Sequence, residues 1–109
     1  MAKKIELVIE NGIVTGYSGE SKKLVIEGDI KEIADSVFKN CEFLEEVYIR
    51  SQSFKTIGKK AFYGCKKLKV FEIDTLKGSI SDFAFENCTN LKSIIIPNGA
   101  IKIGENVFK

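Results

Sequence analysis

Ile57-Gly58-Lys59-Lys60-Ala61-Phe62-Tyr63-Gly64-Cys65-Lys66-Lys67-Leu68-Lys69-Val70-Phe71-Glu72-Ile73 reads, taken alone, as a short helix running into a strand. The same pattern is written again on both sides of it. Phenylalanine recurs at 38, 62, 85 and 108, cysteine at 41, 65 and 88, leucine at 44, 68 and 91, and the isoleucine that opens each unit at 33, 57, 80 and 103. Steps of 24, 23 and 23 residues are the period of a solenoid, whose units bury their apolar faces against one another. The one extra residue lies within Arg50 to Thr56. Eight residues separate Ile49 from Ile57, against seven from Ile26 to Ile33, Ile73 to Ile80 and Ile96 to Ile103. That segment is a polar loop, so the core register survives the insertion.

Upstream of the array, Lys4 to Glu10 alternates, with Ile5, Leu7 and Ile9 on one face. Asn11-Gly12 follows, and a type I′ turn needs φ > 0 at both of its central residues. Ile13-Val14-Thr15 returns, so Lys4 to Tyr17 predicts a β-hairpin that covers the first coil. We divide the chain into an N-terminal hairpin cap, 1–20, and an array, 21–109, with coils at about 21–44, 45–68, 69–91 and 92–109, together one domain. The coil strands are Leu24-Val25-Ile26, Val47-Tyr48-Ile49, Phe71-Glu72-Ile73 and Ile94-Ile95-Ile96. Asp35 and Ser36 are candidate N-caps of a short helical turn carrying Val37, Phe38 and Cys41. In the third coil Lys77 falls on an apolar position, with Leu76 as its substitute. The fourth coil supplies Ala100, Ile101, Ile103, Val107 and Phe108 and stops before the Cys and Leu positions. No capping element follows in this sequence, so that end is expected to expose a strand edge; either the natural protein continues with further coils, or the face from Ile94 to Phe108 pairs with a second copy in a homo-oligomer.

Leu44-x-x-Val47-x-Ile49, Leu68-x-x-Phe71-x-Ile73 and Leu91-x-x-Ile94-x-Ile96 match the leucine-rich repeat core, although Gln52, Leu76 and Gly99 stand where its Asn or Cys is usual. The continuation Ile-Gly-x-x-Ala-Phe-x-x-Cys-x-x-Leu is clearest from Ile57 to Leu68. With Ile96-Pro97, Ile103-Gly104 and the opening Asn11 to Gly19, it resembles the BspA-like, or Treponema-type, leucine-rich repeat family. The resemblance implies a right-handed solenoid, α/β or mainly β, with one parallel strand per coil and short helical turns opposite. It also implies a bacterial or protozoan surface protein that adheres to other proteins through the exposed sheet and catalyses nothing. The motif carries fold residues only, so no functional residue transfers with it.

Composition excludes several other classes. The net charge is +2 with no histidine, which offers little to nucleic acid or an anionic membrane. No apolar run approaches the roughly 20 residues of a membrane helix. Met1-Ala2-Lys3-Lys4 does not lead into a signal sequence, because the apolar run that follows is short and broken by Glu6. The expected location is thus the cell surface or outside it by resemblance, with the cytoplasm left open by the missing signal. Each cysteine lies between an inward Phe and an inward Leu, the setting of a small buried hydrophobe. Oxidation and metal binding are the alternatives, and a zinc site lacks ligands here. No cofactor is expected. Gly58 and Gly64 sit at repeat turns, where φ > 0 accounts for them.

Outward positions of stacked strands form columns. Glu27, Arg50, Asp74 and Pro97 make one, in which Arg50 is expected to bridge the two carboxylates; Lys23, Glu46, Val70 and Ser93 make another. A third, Val25, Tyr48, Glu72 and Ile95, mixes aromatic, aliphatic and acidic groups as protein-recognition surfaces do. These four with Arg50 and Asp74 are the candidate interaction face. Lys55, Lys59, Lys60, Lys66, Lys67 and Lys69 crowd the second coil, where Glu42 and Glu45 align with Lys66 and Lys69 and no aromatic interleaving suits single-stranded nucleic acid. The sequence therefore points to a non-catalytic protein-interaction or adhesion module with a protein ligand, no nucleic acid and no membrane insertion. The alternative is a stand-alone intracellular repeat protein acting through self-association.

Overall fold

A repeated strand must find backbone partners in the next copy, because each buried N–H and C=O needs one. The computed structural model describes residues 3–97 and 102–109 and meets that demand on three sides of about four coils. An N-terminal pair, β1 (Glu6–Glu10) and β2 (Ile13–Ser18), precedes β3 (Lys23–Glu27) and β4 (Glu32–Ile33) of the first coil. The second coil holds β5 (Glu46–Arg50) and β6 (Thr56–Ile57), and the third β7 (Val70–Ile73) and β8 (Ser79–Ile80). The fourth holds β9 (Ser93–Ile95) and β10 (Lys102–Ile103). The longer strands form a parallel sheet in the order β3-β5-β7-β9. The two-residue strands extend a second sheet, β1-β2-β4-β6-β8-β10, that the sequence reading did not separate from the loops.

Register follows the repeat. Leu24 lies opposite Val47 and Val47 opposite Phe71, while Ile26, Ile49 and Ile73 align on the same inner face. On the second sheet Val14, Ile33, Ile57, Ile80 and Ile103 form one column. The one-residue insertion is absorbed at a corner by Ser51. Its buried hydroxyl donates to the Ile30 carbonyl at 2.7 Å and accepts from the N–H groups of Ile30 and Ser53. In the third coil Leu76 is buried and Lys77 exposed, as expected.

The third side corrects the expected helical turns, since no helix occurs among the described residues. A helix would direct each N–H four residues back along its own chain. Here every second N–H reaches the next coil instead: Ser36 to Lys59, Phe38 to Ala61 and Asn40 to Tyr63, then Lys60 to Asp82, Phe62 to Ala84 and Gly64 to Glu86. The backbone alternates by placing every fourth residue at positive φ, at Ser36 and Asn40, Lys60 and Gly64, Phe83 and Asn87. Asp35 is accordingly no helix cap. Its carboxylate accepts the Lys59 N–H of the next coil at 2.8 Å, and Asp82 does the same for Glu105. Gly64 has the positive φ expected of it, but Gly58 does not. Gly58 is needed for close approach, because a Cβ there would stand 2.6 Å from the Ile33 carbonyl oxygen.

The hairpin turn carries φ of 52° at Asn11 and 78° at Gly12, as a type I′ turn requires. A bulge between Val8 and Ile9 breaks the simple alternation, so Ile5 is buried but Ile9 is exposed. Strand β2 then pairs in parallel with β4. Its Tyr17 lays its ring on Phe38, with centroids 4.8 Å apart. From there the phenylalanines stack nearly parallel, Phe38 on Phe62 at 5.3 Å, Phe62 on Phe85 at 5.3 Å and Phe85 on Phe108 at 5.7 Å. Phe71 meets Phe62 and Phe85 edge-on. Each such contact contributes about 0.5–1.5 kcal/mol beyond its burial.

The column is closed at Phe62 and open at Phe108, which is 52% exposed. Phe62→Ala is therefore predicted to cost about 3–5 kcal/mol in chemical denaturation, and Phe108→Ala less than half as much. Equal costs would contradict the stack.

Candidate functional site

The alternation of β3, β5, β7 and β9 turns one residue in two outward, and the register sets the outward columns side by side. Val25 stands opposite Tyr48, Tyr48 opposite Glu72 and Glu72 opposite Ile95. Val25 and Ile95 are exposed, while Tyr48 and Glu72 are half-buried. The Tyr48 hydroxyl donates to the Glu46 carboxylate. That hydrogen bond, with desolvation and the Glu46 charge after it, raises the phenol above its ordinary range.

Arg50 and Asp74 are exposed on the same sheet, but Arg50 does not bridge Glu27 and Asp74. Its guanidinium lies over the Tyr48 ring, 5.4 Å from the centroid, and Lys23 approaches the same ring at 5.3 Å. A planar cation stacks on an aromatic face more readily than it spans two solvated carboxylates, whose attraction water weakens. The candidate face is thus a tyrosine flanked by two cations, with apolar Val25 on one side along its column and Glu72, then Ile95, on the other.

The charge columns beside the turns are also only partly paired. Among the described residues, Glu45 holds Lys69 at 3.3 Å and Lys22 at 3.8 Å, whereas Glu42 and Lys66 form no ion pair. Aromatic groups do interleave with lysines here, contrary to the sequence reading. The Lys60 ammonium lies 5.5 Å from the Tyr63 ring and 5.7 Å from Phe83, and Lys39 lies 5.7 Å from Tyr63. Tyr63 stands between Lys60 and Lys66 in the sequence, whereas Lys39 and Phe83 come to this site from the coils before and after.

The cysteines form a ladder. The Cys65 thiol donates to the Phe38 carbonyl at 3.1 Å and the Cys88 thiol to the Phe62 carbonyl at 3.0 Å, so each thiol ties its coil to the one before. The Tyr17 hydroxyl donates to the Cys41 sulfur at 3.8 Å. Burial, then the neighbouring Cys41, pushes that phenol up to about 12. The neighbouring Cys88, then burial, pushes the Cys65 thiol up, and the neighbouring Cys65 lowers Cys88. All three are free thiols, and no group of three or more metal-ligating side chains occurs among the described residues. Shallow depressions mark the surface, and the one of about 460 Å³ is lined by Asn40, Glu42, Gly64, Lys66 and Lys67. No helix of the described residues is long and apolar enough to cross a membrane.

Comparison with known proteins agrees with this architecture. The model of the BspA type leucine rich repeat region matches residues 15–109 in six copies. A leucine rich repeat protein from T. pallidum superimposes with a TM-score of 0.77 at 31% identity, over 96% of this chain and 52% of its own. A leucine rich cell surface protein from Faecalibacterium prausnitzii gives 0.74 at 26% identity, over 94% of this chain and 32% of its own. A leucine-rich repeat protein from Bacteroides ovatus gives 0.69 at 27% identity, over 81% of this chain and 22% of its own. The chain thus spans about half the length of the first of these structures and less of the others. No curated protein matches it.

The ladder predicts an order of thiol reactivity. Iodoacetamide should label half-buried Cys88 first in the folded protein, with Cys41 and Cys65 protected until denaturant is added. Mass spectrometry of labelled peptides checks this, and equal labelling of all three would contradict the burial.

Proposed function

Because the chain belongs to the BspA-type leucine-rich repeat family, we propose that it is a non-catalytic module for protein interaction or adhesion, binding a protein ligand through the exposed face of its longer sheet. The observation that carries this reading is the column Val25, Tyr48, Glu72 and Ile95, with Arg50 stacked on Tyr48 and Asp74 at its rim. A tyrosine held by cations on its ring and a carboxylate on its hydroxyl is a rigid anchor that loses little entropy on contact. Exposed aliphatic groups beside it supply area that water leaves on binding. The thiols are tied to carbonyls inside the core, and the chain has no histidine, which supports a surface in place of a reaction centre. The N-terminal hairpin acts as a cap, offering Tyr17 to the aromatic column. The description of the F. prausnitzii neighbour as a cell surface protein supports a similar placement.

A displayed random-peptide library tests the face, since it samples side-chain chemistries evenly and needs no chosen ligand. Peptides enriched on the wild-type protein are predicted to lose at least about tenfold in affinity to Tyr48→Ala. They should bind Lys102→Ala, on the other sheet, normally. Peptides indifferent to both Tyr48→Ala and Ile95→Lys would contradict the assignment.

The end coil supports a second reading, self-association. Ile103 is 49% exposed, and Leu91, Ile94 and Ile96 are only half-buried where their counterparts in earlier coils are closed over. Sedimentation should show mass rising with concentration for the wild type and a monomer for Ile103→Lys. A monomeric wild type at high micromolar concentration would rule this out.

A further inference from the structure

The turn of the second coil carries Lys59, Lys60, Lys66 and Lys67, and none of the four forms an ion pair with a carboxylate among the described residues. Lys59, Lys66 and Lys67 are exposed, and Lys60 is half-buried against Tyr63 and Phe83. The flanking coils carry acidic groups. Asp35 and Glu42 occupy the positions of Lys59 and Lys66 in the first coil, with Lys39 between them at the Tyr63 ring, and Asp82 and Glu86 stand in the third at the positions of Lys59 and Tyr63. Asp35 and Asp82 are held in place by the backbone N–H groups they accept. Successive coils lie about 4.8 Å apart, so the positive charge forms a strip one coil wide between two acidic margins. The 460 Å³ depression lined by Asn40, Glu42, Gly64, Lys66 and Lys67 adjoins the strip at its Lys66 end, and at Lys60 the Tyr63 and Phe83 rings add aromatic surface.

We propose that this strip is a second interaction surface, which takes an extended acidic segment of a protein partner laid along the turn of the second coil. A single extended chain is narrow enough to set its carboxylates over the lysines and carry its neutral residues past the margins. A polyanion with charge on every unit is less suited, because it cannot keep its charge off the carboxylates of Asp35, Glu42, Asp82 and Glu86 that border the strip. The Tyr63 hydroxyl, which already accepts from the Asn87 side chain at 3.3 Å, keeps its own proton to donate to such a segment.

Fluorescence anisotropy with a labelled peptide of alternating Glu and Ser residues, at low and at physiological salt, tests the proposal. Saturable binding that weakens with salt is expected, with affinity falling about tenfold in Lys66→Glu/Lys67→Glu. Lys3→Glu/Lys4→Glu, which changes net charge equally in the N-terminal stretch away from the strip, should stay within about twofold. All these lysines are exposed, and melting curves should coincide. Tyr48→Ala should leave peptide binding unchanged, which separates this surface from the sheet face. Equal losses in the two charge-reversal pairs, no binding at low salt, or displacement of the peptide by an equimolar single-stranded oligothymidylate would each overturn the assignment.

Discussion

Each coil of this chain hands its backbone to the next on three sides. On the longer sheet the Lys22 carbonyl accepts the N–H groups of Glu45 and Glu46, and the Lys69 carbonyl those of Lys92 and Ser93. On the shorter sheet the Ile33 carbonyl accepts Gly58. On the turn side Phe62 donates to Ala84 and Phe85 to Val107. Three ladders sharing one period leave no freedom to slide, so phenylalanine must lie on phenylalanine and thiol near thiol. A residue too many can be tolerated only at a corner, and there the Ser51 hydroxyl bonds to the Ile30 carbonyl and to the N–H groups of Ile30 and Ser53.

The same constraint explains what could be read from the residues. Inward positions repeat because they face a constant environment, so Phe38, Phe62 and Phe85, or Ile33, Ile57 and Ile80, announce the coils directly. The turns are misleading because Val37-Phe38 to Cys41 has helical spacing. What defeats a helix there is a demand from the neighbouring coil for alternate N–H groups, which lies about one period away in sequence. Tyr17 falls in the expected hairpin, but its role as the first ring of the stack is hidden because it stands out of phase with the phenylalanine period. Arg50 lies on the expected sheet with a different partner. Column alignment identifies which side chains are neighbours but not that a guanidinium prefers the Tyr48 ring beside it.

Outward positions are free of the repeat, and that is where the candidate sites differ from coil to coil. Tyr48 has Val25, Glu72 and Ile95 as its column mates, and Lys60 has Ser36 and Phe83. The scaffold thus offers a regular frame on which surface chemistry varies with little effect on the core. The thiols belong to the frame, being tied to the carbonyls of Phe38 and Phe62.

Native-state amide hydrogen exchange tests the three-sided ladder most directly. The N–H groups of Phe38, Phe62 and Phe85 lie outside every strand, yet each donates to the next coil at 2.8 to 2.9 Å. The account predicts that Phe38 and Phe62 exchange as slowly as the central strand residues Val47 and Phe71, opening only with the fold as a whole. Exchange of these turn amides at the rate of exposed loops, with the strands still protected, would contradict it.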